Sequence, residues 1–263
     1  MTEAITLDEI DTTAASAFEG YVVRKDLAQQ FKGAYPVPTY VGEFLIGRYC
    51  ATTDPEEIEE GLQVVRRLLA DRTVRAGEEE LFKSRARERM TVKLIDLVKA
   101  RLDAKSNAYV AELPRLGLRD VRIDDAVVRE NERMLTGGFY AEVDLFYDAA
   151  IADENNGKPF AIGSLRPIQL STRDSLSRLA EGRSRFTTEQ WKHLLLRSVG
   201  FEPAQLTERE QDVLLLRMVP FVQRNFNMVE LGPRGTGKSH LFQQVSPYAH
   251  LISGGKATVA RMF

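Results

Sequence analysis

The residues whose types and spacing best suit chemistry lie near the end of the chain, in Gly232-Pro-Arg-Gly-Thr-Gly-Lys-Ser239. The run fits G-x-x-x-x-G-K-[S/T], the phosphate-cradling loop of nucleotide hydrolases. Its glycines let the backbone curl so that N–H groups point inward at a phosphate. The positive end of a following helix adds a favourable field for an anion. Lys238 is placed to reach the β- and γ-phosphates of ATP, and the Ser239 hydroxyl to complete the shell of an Mg²⁺ ion. The candidate nucleotide contacts are therefore Gly232, Pro233, Arg234, Gly235, Thr236, Gly237, Lys238, Ser239 and His240, with Ser239 also the metal ligand.

A loop of this kind must sit between a strand and a helix. Residues 226–231 (Phe-Asn-Met-Val-Glu-Leu) read as a buried strand, and residues 240–245 as a helix start. Only 24 residues follow Ser239. A complete nucleotide-hydrolysing domain needs further parallel strands, one of them carrying an acidic residue for Mg²⁺ and water. Residues 257–263 hold no such carboxylate, so the expectation is the front of an ATPase domain, with catalytic residues beyond the loop unassigned.

Size and composition bound the rest. A length of 263 residues fits one or two domains. A hydrophobic share of 43% and a charged share of 28% are those of an ordinary globular chain. The net charge of −2 excludes steering of the whole molecule to a polyanion. With Cys50 as the one cysteine, no internal disulfide is possible, which points to a reducing compartment. The acidic N-terminus lacks the basic start and apolar core of a signal peptide. No charge-free apolar run approaches the roughly 20 residues of a membrane helix. The expected location is cytoplasmic.

Charge is uneven along the chain. Residues 1–60 hold 12 acidic and 4 basic residues, whereas residues 66–105 hold 12 basic and 7 acidic. Such asymmetry points to nucleic-acid or partner contacts. Residues 1–50 read as helical with breaks, including a short apolar helix from Val41 to Cys50. Asp54 as N-cap, Pro55 at the first position and Glu57 at the third open a helix bearing Ile58, Leu62, Val65 and Leu69. Residues 78–104 are expected as one long helix with Met90, Leu94, Leu97 or Val98, and Leu102 buried. Its other face would carry Lys83, Arg85, Arg87, Arg89, Lys93, Lys99 and Arg101. That face is either solvated charge or a set of phosphate contacts to DNA.

After Pro114 the period changes. Residues 121–123, 126–135, 139–147 and 159–170 read as strands. Phe139, Ala141, Val143, Leu145 and Tyr147 alternate with Tyr140, Glu142 and Asp144 at a period of two. Thr136-Gly-Gly138 is expected to join two strands tightly, and Asn155-Asn-Gly157 to make another turn. The product is an antiparallel meander of three to five strands, either an open structural sheet or an oligonucleotide-binding type barrel. Residues 171–186, with Arg173, Arg178, Arg183 and Arg185, read as a linker or a loop touching DNA. Thr187 with Gln190 and Thr207 with Glu210 are capping boxes for two helices. Trp191 faces the core of the first, and Pro220 limits the second. The three histidines lack partners at zinc spacing, and no nucleophile–base pair stands out.

Residues 217–263, above all Glu230-Leu-Gly-Pro-Arg-Gly-Thr-Gly-Lys-Ser-His240, closely resemble the Lon-like proteins of bacterial BREX phage-defence systems, the BrxL family. Arg89-Met-Thr-Val-Lys-Leu-Ile-Asp96, Thr136-Gly-Gly-Phe-Tyr-Ala-Glu-Val-Asp144 and Leu165-Arg-Pro-Ile-Gln-Leu170 are similar to it too. The resemblance implies an N-terminal domain, an AAA+ ATPase core like that of MCM helicases and a C-terminal Lon-like domain. It further implies assembly into rings, binding to double-stranded DNA, ATP and Mg²⁺ as cofactors, and work alongside other BREX components, with no membrane involved. The acidic strand, sensors, arginine finger and Lon-like region have no counterpart here, so hydrolysis by this chain alone is not expected to follow from the loop, and proteolysis finds no support.

The expected fold class is an α+β N-terminal domain, helices plus a small antiparallel sheet, followed by the start of an α/β P-loop (AAA+) domain, incomplete. The expected domains are 1–170 (helical over 1–110, β-rich over 115–170, a DNA-binding or assembly module), a linker at 171–186, and the ATPase start at 187–263. Three functions follow from this reading: an ATP- and DNA-binding ring protein of phage defence, a non-catalytic DNA-binding or assembly fragment, and, from the family's Lon-like name alone, a component of an ATP-dependent protease.

Overall fold

The computed structural model describes residues 7–19, 21–50, 52, 54–152, 157–168, 175–233 and 235–244. The elements run α1 (Glu9–Ala17), α2 (Lys25–Gln29), α3 (Thr39–Tyr49), α4 (Pro55–Arg72), α5 (Glu79–Arg89), β1 (Thr91–Asp103), β2 (Ala108–Leu113) and β3 (Leu118–Arg122). There follow α6 (Asp125–Glu130), a 3-10 turn (Glu132–Leu135), β4 (Phe139–Tyr147), α7 (Ala149–Ala152) and β5 (Phe160–Pro167). The chain continues with α8 (Ser175–Arg183), α9 (Thr188–Ser198), α10 (Glu208–Val222) and α11 (Lys238–Gln244). Two compact units result: residues 30–170, and residues 1–29 together with 171–263. The chain thus starts in one unit, builds the other, and returns. The sequence pattern groups residues 1–29 with 30–170, whereas they cluster with residues 171–263. Their partners, α8 and α9, lie some 160 residues away, so no local pattern announces them.

The unit 30–170 is a helical pair set on a barrel. Asp54 caps α4 by accepting from the Glu56 and Glu57 amides, at 2.8 and 3.4 Å, with Pro55 at the first position. Ile58, Leu62, Val65 and Leu69 are buried, as the 3.6-residue spacing requires.

The long helix expected over 78–104 is two elements. Met90 adopts left-handed backbone at φ 61°, which ends α5, and β1 starts at the next residue. Thr91-Val-Lys-Leu-Ile-Asp-Leu-Val has the β-branched content and the period of two that favour a strand, and Leu94, Val98 and Ala100 enter the barrel core. The segment expected as a strand over 126–135 is α6 and the 3-10 turn, with Asp124 accepting from the Ala126 amide at 2.7 Å. Val128 and Met134 from this piece are buried in the core. Thr136-Gly-Gly138 therefore leads out of a helical turn into β4 and does not join two strands. Of the turn expected at 155–157, residues 155 and 156 lie outside the described residues.

β1, β2, β3, β5 and β4 form a closed barrel in that order, β4 pairing back onto β1. All pairs are antiparallel except β3 with β5, so the sheet is mixed and not the simple meander expected. A closed five-stranded barrel of this kind is the oligonucleotide-binding type architecture.

In the other unit, both capping boxes are made. Thr187 and Gln190 exchange bonds at 3.0 and 3.2 Å, and Thr207 and Glu210 at 2.8 and 3.4 Å. Phe18, Phe186 and Trp191 form an aromatic cluster with ring centroids 5.8–6.3 Å apart. Arg197 of α9 meets Asp8 at 2.7 Å and Asp11 at 3.2 Å, so α1 is held to α9 by charge as well as by the rings. α10 runs two residues past Pro220, further than the proline predicted.

Candidate functional site

The approach to the glycine loop is not a strand among the described residues. Residues 226–231 carry no ladder bonds, and Val229 and Leu231 are 85% and 90% exposed, against the buried strand expected. A strand exists only through its neighbours' hydrogen bonds, and no described strand lies in this unit. The segment is held instead by Glu230, whose carboxylate accepts from the guanidinium of Arg217 on α10. Arg217 Nε lies 3.0 Å from each oxygen, and Nη2 also donates to Oε1. This fork-on-carboxylate geometry is the strong form of an ion pair, and both partners are largely covered.

The bend follows. Gly235 and Gly237 have φ of 82° and 74°, conformations that residues with a Cβ rarely adopt, which is why glycine stands at both places. The Thr236 hydroxyl donates to the Pro233 carbonyl at 3.2 Å. Lys238, first residue of α11, turns back over the bend. Its Nζ donates to the Gly232 carbonyl at 3.1 Å, to the Thr236 hydroxyl at 2.8 Å and to the Pro233 carbonyl. The ammonium thus sits over the loop, on weak neutral acceptors that an anionic phosphate can replace with a stronger charge-assisted bond. Ser239 follows in the first turn of α11 and is exposed. Leu241 is buried, and Phe242 stacks on Phe221 of α10 with centroids 5.2 Å apart.

Of the nine candidate contacts, Gly232, Pro233, Gly235, Thr236, Gly237, Lys238 and Ser239 are brought together in this bend. Arg234 lies outside the described residues, and of His240 only its place in α11 is described. The donors suit a nucleotide phosphate better than a metal alone. Among the described residues, no group of three or more His, Cys, Asp or Glu could hold a metal ion. Mg²⁺ would therefore depend on the Ser239 hydroxyl and the nucleotide's own phosphates.

The basic residues of 83–101 do not share one face. Lys83, Arg85, Arg87 and Arg89 are on α5, and Lys93, Lys99 and Arg101 on β1. Several are already engaged: Lys83 with Glu80 at 2.7 Å, Lys93 with Asp144 at 3.7 Å, and Arg101 with Glu112 at 3.3 Å and with Asp120. Arg85 lies over the Phe82 ring. Arg87 and Arg89 are exposed on the last turn of α5. The linker arginines are also used in the fold. Arg178 covers the Tyr21 ring, Arg183 donates to the Phe186 carbonyl and covers Trp191, and Arg185 donates to Ser16. Arg173 lies outside the described residues.

Sequence reasoning missed Arg217 and Glu230, 13 residues apart. The one signal available was Arg217 four residues before Phe221, a spacing that puts both on the same side of a helix.

A barrel with its helices, followed by a glycine bend that opens a helix, defines a chain joining a small α+β domain to the start of an α/β ATPase domain. Comparison with known proteins agrees. The sequence model described as "BREX system Lon protease-like protein BrxL N-terminal" matches residues 16–147, and that described as "Lon-like protease BrxL-like, ATPase domain" matches residues 160–263. The chain belongs to the BrxL family. Lon-like protease BrxL of Escherichia coli O9:H4 (strain HS) is 43% identical over 255 residues, covering 97% of this chain and 36% of that protein. Lon-like protease BrxL of Bacillus cereus (strain H3081.97) is 41% identical over 258 residues, covering 98% and 38%. The chain thus spans little more than a third of the length of these curated relatives.

Proposed function

We propose that this chain is the N-terminal part of an ATP-binding, DNA-binding AAA+ ring protein of a BREX system that acts in bacterial defence against phage. The observation that carries the reading is the bend at 232–239, with left-handed Gly235 and Gly237 and the Lys238 ammonium folded over it. With nucleotide bound, Lys238 would exchange its bonds to Gly232, Pro233 and Thr236 for the β- and γ-phosphates. Ser239 would offer its hydroxyl to Mg²⁺, and Gly232, Pro233, Arg234, Gly235, Thr236, Gly237 and His240 are the residues that would complete the nucleotide contacts. Mg²⁺ supplies charge neutralisation at the phosphates.

DNA contact is assigned to the unit 30–170. Its closed five-stranded barrel supports this, since the architecture serves oligonucleotide binding elsewhere. Double-stranded DNA is the proposed form, self-association into rings the proposed assembly, other BREX components the proposed partners and the cytoplasm the proposed location. Among the described residues, no helix is long and apolar enough to cross a membrane. The barrel also favours a second reading, in which this chain binds DNA or assembles without turning over ATP.

Equilibrium binding of a fluorescent ATP analogue with Mg²⁺ tests the proposal. Saturable binding, lost in Lys238→Ala while the far-ultraviolet circular dichroism stays the same, is the expected result. Equal binding by both proteins would overturn the nucleotide assignment.

A further inference from the structure

Among the aromatic side chains described in residues 30–170, Phe146 alone is exposed. It lies on β4 between Leu145, which enters the barrel core, and Tyr147, so its side chain is on the outer face. The ring rests on β5 at Gly163, where any Cβ would collide with it. Gly163 is the extra residue of a bulge, since Asp144 pairs with Ser164 and Leu145 with Ile162. The bulge and the missing side chain give the ring a seat and leave it 45% exposed.

Cations border this ring. Thr91 faces Phe146 across the ladder, and Lys93 faces Asp144, the next pair on the same side of the sheet. Lys93 is mostly exposed and lies 3.7 Å from Asp144, whose carboxylate also accepts from the Ser164 hydroxyl at 2.6 Å. Met90, exposed in its turn, accepts from the Tyr147 amide at 3.0 Å and so brings exposed Arg89, the last residue of α5, to the same edge. Besides Asp144, the acid on this stretch is Glu88, which accepts from Ser84 at 3.1 Å. In the sequence these cations have no aromatic neighbour between Phe82 and Tyr109. The fold supplies one from β4. The β1–β2–β3 face is made differently. There Arg101 is engaged by Glu112 and Asp120, Arg122 donates to the Lys158 carbonyl at 2.9 Å and reaches Asp148 at 3.4 Å, and no described aromatic is exposed.

We propose that Phe146, seated on Gly163 and bordered by Lys93 and Arg89, is a stacking platform for an unpaired base of single-stranded DNA. The proposal rests on the assignment of DNA contact to this unit and goes beyond the duplex named there. An exposed ring beside cations suits a single strand, because every base has a π-face to stack and the cations track the phosphates. A base inside a duplex is already stacked on both sides, so the ring favours DNA with an unpaired stretch. Lys93 gives up only a long contact with Asp144 to reach a phosphate, whereas Arg101 would have to leave two carboxylates.

The test uses the full chain, a fluorescein-labelled oligothymidine and a blunt duplex of the same length, read by fluorescence anisotropy at low salt. Phe146→Ala is expected to weaken single-strand binding about tenfold, the usual effect of losing one stacked base. Its duplex binding and circular dichroism spectrum should stay as in the wild type. Phe146→Leu keeps apolar bulk without a π-face and is expected to lose as much. Phe146→Trp is expected to keep the wild-type affinity, and its added emission to be quenched as the oligonucleotide is titrated in. A ring that serves only to cover Gly163 would lower the melting temperature of Phe146→Ala and leave its affinity unmoved, which overturns the proposal. Wild-type affinity in Phe146→Leu, or equal losses for single strand and duplex, overturns it too. Binding of the wild type to the duplex alone removes the platform and leaves the DNA assignment standing. Binding to neither removes both. If Phe146→Ala does not fold, the Phe146→Trp emission decides: quenching by bound oligonucleotide supports the platform, and an unchanged emission overturns it.

Discussion

Glu142, on the outer face of the barrel, accepts from the guanidinium of Arg72, the last residue of α4, at 3.1 Å. Arg48 of α3 reaches the other carboxylate oxygen at 3.6 Å, so one carboxylate ties two helices to the barrel. The residue after Arg72, Thr73, forms a parallel bridge with Ile95 on β1, which places the helical pair against the strand as well. Removing Glu142 strands two guanidinium groups, the half-buried one of Arg72 and the exposed one of Arg48. Glu142→Ala is expected to destabilise the unit by about 1.5–3 kcal/mol, the usual worth of bonds to charged groups. Urea unfolding measures this, and an unchanged midpoint would contradict the role given to Glu142.

Asp96 titrates where most carboxyls do not. It lies on β1, fully buried, and accepts from the Leu97 amide at 2.7 Å and from the Arg115 and Leu116 amides at 3.2 Å. Burial pushes its pKa up to about 6, against the pull of those three N–H groups. The folded state therefore holds a proton that the unfolded state, near 4, releases. The stability linked to this group is fully present below about pH 4 and is lost as pH rises through about 6. Relative to Asp96→Asn, the wild type should lose up to about 3 kcal/mol across that interval. Parallel stability–pH curves for the two proteins would refute the shift. Asp103 runs the opposite way. Held near 2, chiefly by Lys158 at 2.8 Å, it contributes stability above about pH 4 that is lost as pH falls through 2.

Trp191, the one tryptophan, reports on the docking of α1. A Cβ on Gly182 would come within 2.2 Å of the Phe18 ring, and Phe18 stacks on Phe186 and leans on Trp191. Gly182→Ala should displace Phe18, open Trp191 to water and cost about 1–3 kcal/mol, as overpacking does. A red shift of the tryptophan emission is the readout. An unshifted spectrum would argue that α1 does not cover this cluster.

How far these relationships were legible in the sequence depended on their range. Asp54 with Pro55, Thr187 with Gln190, and Thr207 with Glu210 mark helix starts through bonds three residues long, and all three appear where their spacing puts them. The alternation from Phe139 to Tyr147 was equally plain, because β4 has one face in the barrel core. The helix expected through Met90 failed for a physical reason. Leu94 and Val98 satisfy a helical spacing of four and also lie on one face of a strand, and one left-handed residue decided between them. Barrel closure depends on pairing β4 with β1 and β3 with β5, which no local pattern encodes. In the candidate site, the bend and Lys238 were legible from a fixed motif. Arg217 and Glu230 were not, since each alone is an ordinary surface charge and only α10 brings them together.

The assignment of DNA to the unit 30–170 makes a prediction that separates used from unused cations. Arg87 and Arg89 are exposed on α5, whereas Arg101 is engaged by Glu112 and Asp120. Arg87→Glu with Arg89→Glu should weaken binding to duplex DNA and reduce the slope of log affinity against log salt by about 2, one for each lost phosphate contact. Arg101→Glu should change the slope less than the pair does. A larger effect at Arg101 would move the contact surface from α5 to the strands.

The central claim, that the bend at 232–239 exists to hold a triphosphate, is tested most directly by isothermal titration of Mg·ATP into this chain and its Lys238→Ala variant. One site per chain for the wild type, and no measurable heat of binding for the variant, is the predicted result. Superimposable isotherms from two equally folded proteins would contradict it.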